Sequence, residues 1–241
     1  MSKTYTEGKR LLRDGKRKGK EYDIKRILFY EIYKTGEDPY ISEPYRIVGK
    51  LMDCDIELYS FDVMWAPSSC HLDEKWIAGS QMMMSEFSGL QSSKEAFKKF
   101  VSRIRMLSDY SISNKRIILC GFGNHGGGDM LFKKWFSENT ESWEYGKIFY
   151  PASIDLMGAS SPYMVDVIDR VGGLDLEWCS CALLQSVDLS RMNDPMYRIE
   201  TMVRLHKSKV CKKVHLHTAL MMEKKLLRNN GKLNNLKRDN K

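Results

Sequence analysis

Apolar positions follow two rhythms along this chain, and the change between them divides it. The first third has the rhythm of strands. Tyr22 to Tyr33 (YDIKRILFYEIY) concentrates aromatic and β-branched residues and predicts a strand. Thr35-Gly36-Glu37-Asp38-Pro39 has the composition of a turn, and Tyr45 to Met52 predicts a second strand. Asp55 to Trp65 (DIELYSFDVMW) alternates, with Ile56, Leu58, Ser60, Asp62 and Met64 on one side and Glu57, Tyr59, Phe61, Val63 and Trp65 on the other. Ala66-Pro67-Ser68-Ser69 ends that run. Trp76 to Met84 is a further strand candidate, and its Met82-Met83-Met84 run suits adaptable core filling.

From Ser92 onward helical spacing appears. Ser92 or Ser93 can cap a helix to about Ser108, with Ala96, Phe97, Phe100, Val101, Ile104 and Leu107 as its inward stripe. A short apolar run, Ile117 to Cys120, reads as a buried strand and leads into five glycines: Gly121, Gly123, Gly126, Gly127 and Gly128. Asp129 then stands at the start of MLFKKWF, where a helix macrodipole favours negative charge. Lys147 to Met157 predicts a strand with Pro151 at an edge. Pro162 opens a helix through Val171, stopped by Gly172-Gly173. Leu176 to Val187 contains a strand, with Cys179 and Cys181 at alternate positions. Asp194-Pro195 starts a helix whose Ile199, Met202, Val203 and Leu205 face inward, and Val214 to Leu227 reads as a basic helix. Strands first, then alternating helix and strand, predict an α/β domain with a mixed central sheet and flanking helices.

Composition adds a charge map to this outline. The net charge is +8, but residues 1–26 hold ten Lys/Arg against four acids, and residues 204–241 hold twelve against two. The residues between carry a net −8. Basic ends on an acidic body attract polyanions. The expected division is a flexible basic arm over 1–21, one α/β domain over 22–227 and a flexible basic tail over 228–241, with Lys16, Arg17, Lys18, Lys20, Lys212 and Lys213 as phosphate contacts. Lys16-Arg17-Lys18 with Lys20 also has the form of a nuclear-localisation patch. No run of 18 apolar residues spans a membrane, and the N-terminus lacks an apolar signal core. The six scattered cysteines, none in a CxxC pair, suit a reducing, intracellular compartment.

The glycine stretch admits three uses. Gly121-x-Gly123-x-x-Gly126 matches GxGxxG between a strand and a helix, as in a methyltransferase loop that approaches S-adenosylmethionine. Asp155, at the end of the next strand, would then meet the ribose. Alternatively the glycines are structural, Asp129 is a helix cap, and the chain is a non-enzymatic, viral-type RNA-binding or interaction protein.

The third use carries a family resemblance. Tyr59-Ser60-Phe61-Asp62-Val63-Met64 and Asn124-His125-Gly126-Gly127-Gly128-Asp129-Met130-Leu131-Phe132 resemble two motifs of DEDD-type 3′–5′ exonucleases, especially the proofreading domain of protein-primed family B DNA polymerases. The first motif is an aspartate two residues before a glutamate on the first strand. The second is an asparagine followed by glycines and an aspartate opening a helix. The resemblance covers Asp55 to Phe136, about a third of the chain. It implies an RNase H-like sheet, with Asp62 and Asp129 as catalytic acids that hold Mg²⁺ or Mn²⁺. His217-Thr218-Ala219-Leu220 is similar to the histidine motif of the DEDDh subgroup, which gives His217 a catalytic role. Met64 and Met222 stand where that pattern has acids, and a thioether offers a hard cation no carboxylate. The resemblance thus implies an exonuclease-like domain with an impaired metal site that binds RNA or a single strand. A homo-oligomer stays open.

Overall fold

The computed structural model describes residues 26–36, 38–53, 55–68, 84–108, 116–123, 127–164, 173–184 and 186–208. Three long strands come first: β1 (Arg26–Lys34), β2 (Pro44–Asp53) and β3 (Ile56–Met64). They form an antiparallel meander, in register from Arg26↔Asp53 and Arg46↔Met64. Helix α1 (Ser93–Ser108) follows, then β4 (Ile118–Gly121), α2 (Gly128–Asn139) and α3 (Ser142–Ile148). A two-residue strand β5 (Ile154–Asp155) runs directly into α4 (Leu156–Ser160), and α5 (Leu176–Leu183) and α6 (Pro195–Lys207) complete the described fold. Among the described residues the sheet has the order β3-β2-β1-β4-β5, with β4 parallel to both β1 and β5.

β1 is the axis of this arrangement, because its alternating side chains enter two different cores. Leu28 and Tyr30 point to the face covered by α1, α2 and α3. There they join Ile47, Leu51 and Phe61 from the sheet and Phe97, Phe100, Phe132 and Trp135 from the helices. Trp65 and Trp135 stack with centroids 4.5 Å apart, and Trp135 Nε1 donates to Ser93 Oγ at 3.0 Å. Phe29 points the other way, into a core with Val48, Met52 and Cys120 from the sheet and Leu156, Cys179, Ile199, Met202 and Leu205 from α4, α5 and α6. The result is a mixed sheet between two helical layers, as the pattern predicts.

Local chemistry explains the helix starts. Ser92 and Glu95 form a capping box: the Glu95 N–H donates to Ser92 Oγ at 3.3 Å and the Ser92 N–H to Glu95 Oε2 at 3.0 Å. Asp194 caps α6 through the Met196 N–H at 2.9 Å, with Pro195 in its first turn.

Two expected strands are corrected. Leu176 to Val187 contains helix α5, because Asp175 accepts the Trp178 N–H at 2.7 Å and Leu176, Cys179 and Ser180 repeat with helical spacing on the buried side. Lys147 to Met157 is the end of α3, a single bridge at Phe149, two strand residues and α4. From Pro162 only a short 3₁₀ turn (Ser161–Tyr163) is described. The strand expected over 76–84, except Met84, and the helix expected over 214–227 lie outside the described residues, as do the arm over 1–21 and the tail over 228–241. No helix among the described residues is long and apolar enough to cross a membrane.

At Gly49, β2 lies between β1 and β3 with no space for a side chain. A Cβ there would lie 2.7 Å from the Phe29 carbonyl oxygen and 2.6 Å from Phe61 Cζ. Gly49→Ala is therefore expected to destabilise the domain by about 1–3 kcal/mol through overpacking, seen as a lower urea midpoint with an unchanged m-value.

Candidate functional site

The two acids expected to share a metal do not meet. Asp62 sits on the edge strand β3, in register with Val48, which is itself opposite Glu31. Directly opposed residues share a face, so Asp62 lies on the α4–α6 side of the sheet. Its carboxylate is held by Arg46, with Nε at 2.8 Å and Nη2 at 2.6 Å. Asp129 lies on the other side. In the first turn of α2 it accepts the Tyr30 hydroxyl at 2.6 Å and the Ser153 hydroxyl. It ties the helix start to β1 and to the approach of β5. It does not cap α2, since the cap position is Gly127, with φ 125° and no side-chain bond. The sheet itself separates the pair.

A different cluster forms where β1 outruns its neighbour. The β1–β4 pairing reaches Phe29↔Cys120, and the strand continues through Glu31 and Tyr33 towards Lys34. Glu31 and Tyr33 both face the α4–α6 layer. Arg198, one turn into α6, donates from Nε to Glu31 Oε1 at 3.1 Å and Oε2 at 3.0 Å. Its Nη1 donates to Glu177 Oε1 in the first turn of α5 at 2.5 Å. The Tyr33 hydroxyl donates to Glu31 Oε2 at 3.1 Å. The Arg46 guanidinium lies over the Tyr33 ring, 5.5 Å from its centroid. A chain of interacting polar groups therefore crosses this face from Asp62 through Arg46, the neutral Tyr33, Glu31 and Arg198 to Glu177. Side chains at its centre are only 22–23% exposed for Arg198 and Glu31 and 33% for Glu177.

The electrostatics follow from that burial. Desolvation works against the Arg198 charge, but the attraction and hydrogen bonds of Glu31, with help from Glu177, outweigh it and raise its pKa. Burial first and Glu31 second push the Tyr33 phenol far above its ordinary value, so it is a neutral donor. Tyr30 is raised in the same way by burial and by Asp129.

These residues do not fit a divalent cation. On the first strand, at the spacing of an acid pair, stand one carboxylate and one neutral phenol. The carboxylate is already neutralised by a guanidinium. Among the described residues no three His, Cys, Asp or Glu side chains gather at metal-binding distance.

The fold itself has clear counterparts. No family model matches the sequence, and no curated protein does. Among solved structures, a zinc-bound complex of E. coli exonuclease I with single-stranded DNA superposes with a TM-score of 0.60 at 14% identity, over 86% of this chain and 45% of that one. The chain fits the 3′–5′ exonuclease fold. A 3′-exonuclease in a structure of 3′-end-specific recognition of a histone mRNA stem-loop gives 0.53 at 14% identity, over 88% and 71%. A moderately thermophilic exonuclease I from Methylocaldum szegediense gives 0.54 at 15% identity, over 79% and 43%. The chain thus spans less than half the length of the exonuclease I structures.

On this exonuclease fold the glycine stretch follows β4. Gly121 ends the strand and Gly123 has φ 70°. Asp155 Oδ1 accepts the Gly123 N–H at 2.9 Å and the Met157 N–H at 3.0 Å, so the acid that the S-adenosylmethionine reading places on a ribose here fastens the loop backbone. Gly126, His217, Lys16, Arg17, Lys18, Lys20, Lys212 and Lys213 lie outside the described residues. Glu31 and Arg198 escaped the sequence reading, yet each left a sign. Glu31 is a charge inside the apolar run LFYEIY, and Arg198 shares a helical face with Met202 and Leu205.

Two outcomes are expected. Asp129→Ala leaves the buried Tyr30 hydroxyl without its acceptor and lowers unfolding stability by about 1–3 kcal/mol, whereas Asp62→Ala removes an ion pair whose carboxylate side chain is 40% exposed and costs about 1 kcal/mol or less; equilibrium unfolding ranks them. The raised Tyr30 pKa contributes stability that is complete below the 10.0 of a free tyrosine and is lost as pH rises beyond it. Tyr30→Phe should therefore be less stable at neutral pH but lose less on going from about pH 9 to pH 11, as read from urea midpoints.

Proposed function

We propose that the protein binds nucleic acid, as RNA or a single strand, on an exonuclease-type domain that does not support metal-dependent cleavage. Arg198 carries this reading: it is seated on the Glu31 carboxylate of the first strand, at the place where the family pattern pairs two acids. The likeness to structures that hold single-stranded DNA or concern an mRNA stem-loop supports the binding half. So does the charge map, since the basic residues concentrated in 1–26 and 204–241 would attract phosphates.

A divalent ion bound between carboxylates would polarise a phosphodiester. Here Glu31 is committed to Arg198 and Tyr33, Asp62 to Arg46, and Asp129 to Tyr30 and Ser153.

Fluorescence anisotropy with labelled single-stranded RNA and DNA tests the proposal. Affinity should fall about ten- to a hundredfold between roughly 50 and 200 mM salt. Removing residues 1–21 and 228–241 should weaken binding and flatten the salt slope. Incubation with Mg²⁺ or Mn²⁺ should release no nucleotides from a labelled 3′ end. Sustained metal-dependent release, lost in Glu31→Gln, would instead establish an active exonuclease.

A further inference from the structure

Three elements that are distant in sequence send their polar side chains to one point on the α4–α6 face. β1 brings Glu31, α5 brings Glu177 and α6 brings Arg198. One guanidinium spans both carboxylates, with Nε on Glu31 and Nη1 on Glu177. We propose that Arg198 stands in for a cation: its guanidinium supplies in covalent form the positive charge that this sheet position needs, and it makes the domain independent of divalent metal.

Three observations lead there. Glu31 shares its face with Phe29 and Val48, both in the core beneath α4–α6, and its side chain is only 23% exposed. A carboxylate in such a place must be neutralised. Its neutraliser is not a flexible surface lysine. It is an arginine held by the capped first turns of α6, on the same helix as the buried Tyr197 and Ile199. The fork geometry of Arg also satisfies several oxygens at once, as a small hard ion would. Finally, the neighbouring groups complete the polar shell with neutral or paired donors. The Tyr33 hydroxyl takes the remaining side of Glu31, and Arg46, committed to Asp62, covers the Tyr33 ring. A metal entering this shell would have to expel the guanidinium from two carboxylates while Arg46 stood nearby.

The test needs no nucleic acid, so it is decided apart from the binding reading. Thermal unfolding of the full chain is followed in EDTA, in millimolar Mg²⁺ and in millimolar Mn²⁺ at matched ionic strength. The wild type should melt at the same temperature in all three. Arg198→Ala leaves Glu31 and Glu177 facing each other without a cation. It should melt lower in EDTA and recover by at least about 2 °C in Mn²⁺. If Arg198→Ala does not fold in EDTA, refolding in Mn²⁺ gives the same support, and failure in both overturns the proposal. Recovery should vanish when Glu31→Gln and Glu177→Gln are added, because the receiving carboxylates are gone. Arg198→Lys keeps the charge and should stay insensitive to Mn²⁺. A wild type stabilised by Mn²⁺, an Arg198→Ala chain that gains nothing from it, or a gain that survives Glu31→Gln with Glu177→Gln would each overturn the proposal.

Discussion

A strand paired along both edges and covered on both faces has almost no tolerance for an uncompensated charge, and β1 is such a strand. It gives Leu28 and Tyr30 to one core and Phe29 to the other. Glu31 follows immediately, where the β4 pairing has ended but the α4–α6 layer still covers the sheet. The ion pair with Arg198 makes that position possible. It also fixes where α6 can lie, since Arg198 must reach β1 while Ile199, Met202 and Leu205 fill the core. Through Glu177 the same guanidinium sets the first turn of α5. Truncating one partner of a part-buried pair of this kind leaves the other charge stranded, which costs more than the pair itself contributes.

The opposite face satisfies a buried phenol with a carboxylate. Tyr30 enters an aromatic core, and its hydroxyl needs an acceptor there. Asp129 supplies it from the first turn of α2, where the helix field already favours a negative charge. Gly127 allows this turn through its left-handed backbone, packed so closely on Pro39 that a Cβ would come within 2.7 Å of it. Of the two acids that looked free to bind a metal, Asp129 is thus spent on joining α2 to the sheet and Asp62 on joining β3 to β2 through Arg46.

Much of the fold was legible because periodicity and caps act locally. The three long strands, the Ser92–Glu95 start of α1 and the Asp194-Pro195 start of α6 all follow from short-range patterns. The failures have physical causes as well. α5 is eight residues long, and an apolar run that short reads equally well as a strand until the Asp175 cap is weighed. β5 has two residues, too few to show any alternation. Asp62 and Asp129 stay apart for a topological reason. Alternation in Asp55 to Trp65 shows a two-faced strand but not its rank in the sheet, so Asp62 was set on a first strand when it belongs to the edge strand β3. The charged residues that converge, Glu31 and Arg198, are 167 positions apart, and no local pattern joins them.

Trp65 and Trp135 have a spectroscopic consequence. Their rings lie 4.5 Å apart and within 3° of parallel, one just after β3 and the other on α2. Two indoles so close share excitation, so their near-ultraviolet dichroism and emission belong to the couple rather than to either ring. The molecule therefore carries an unlabelled optical gauge of whether α2 is seated on the sheet, separate from any signal of the exposed Trp143 and Trp178.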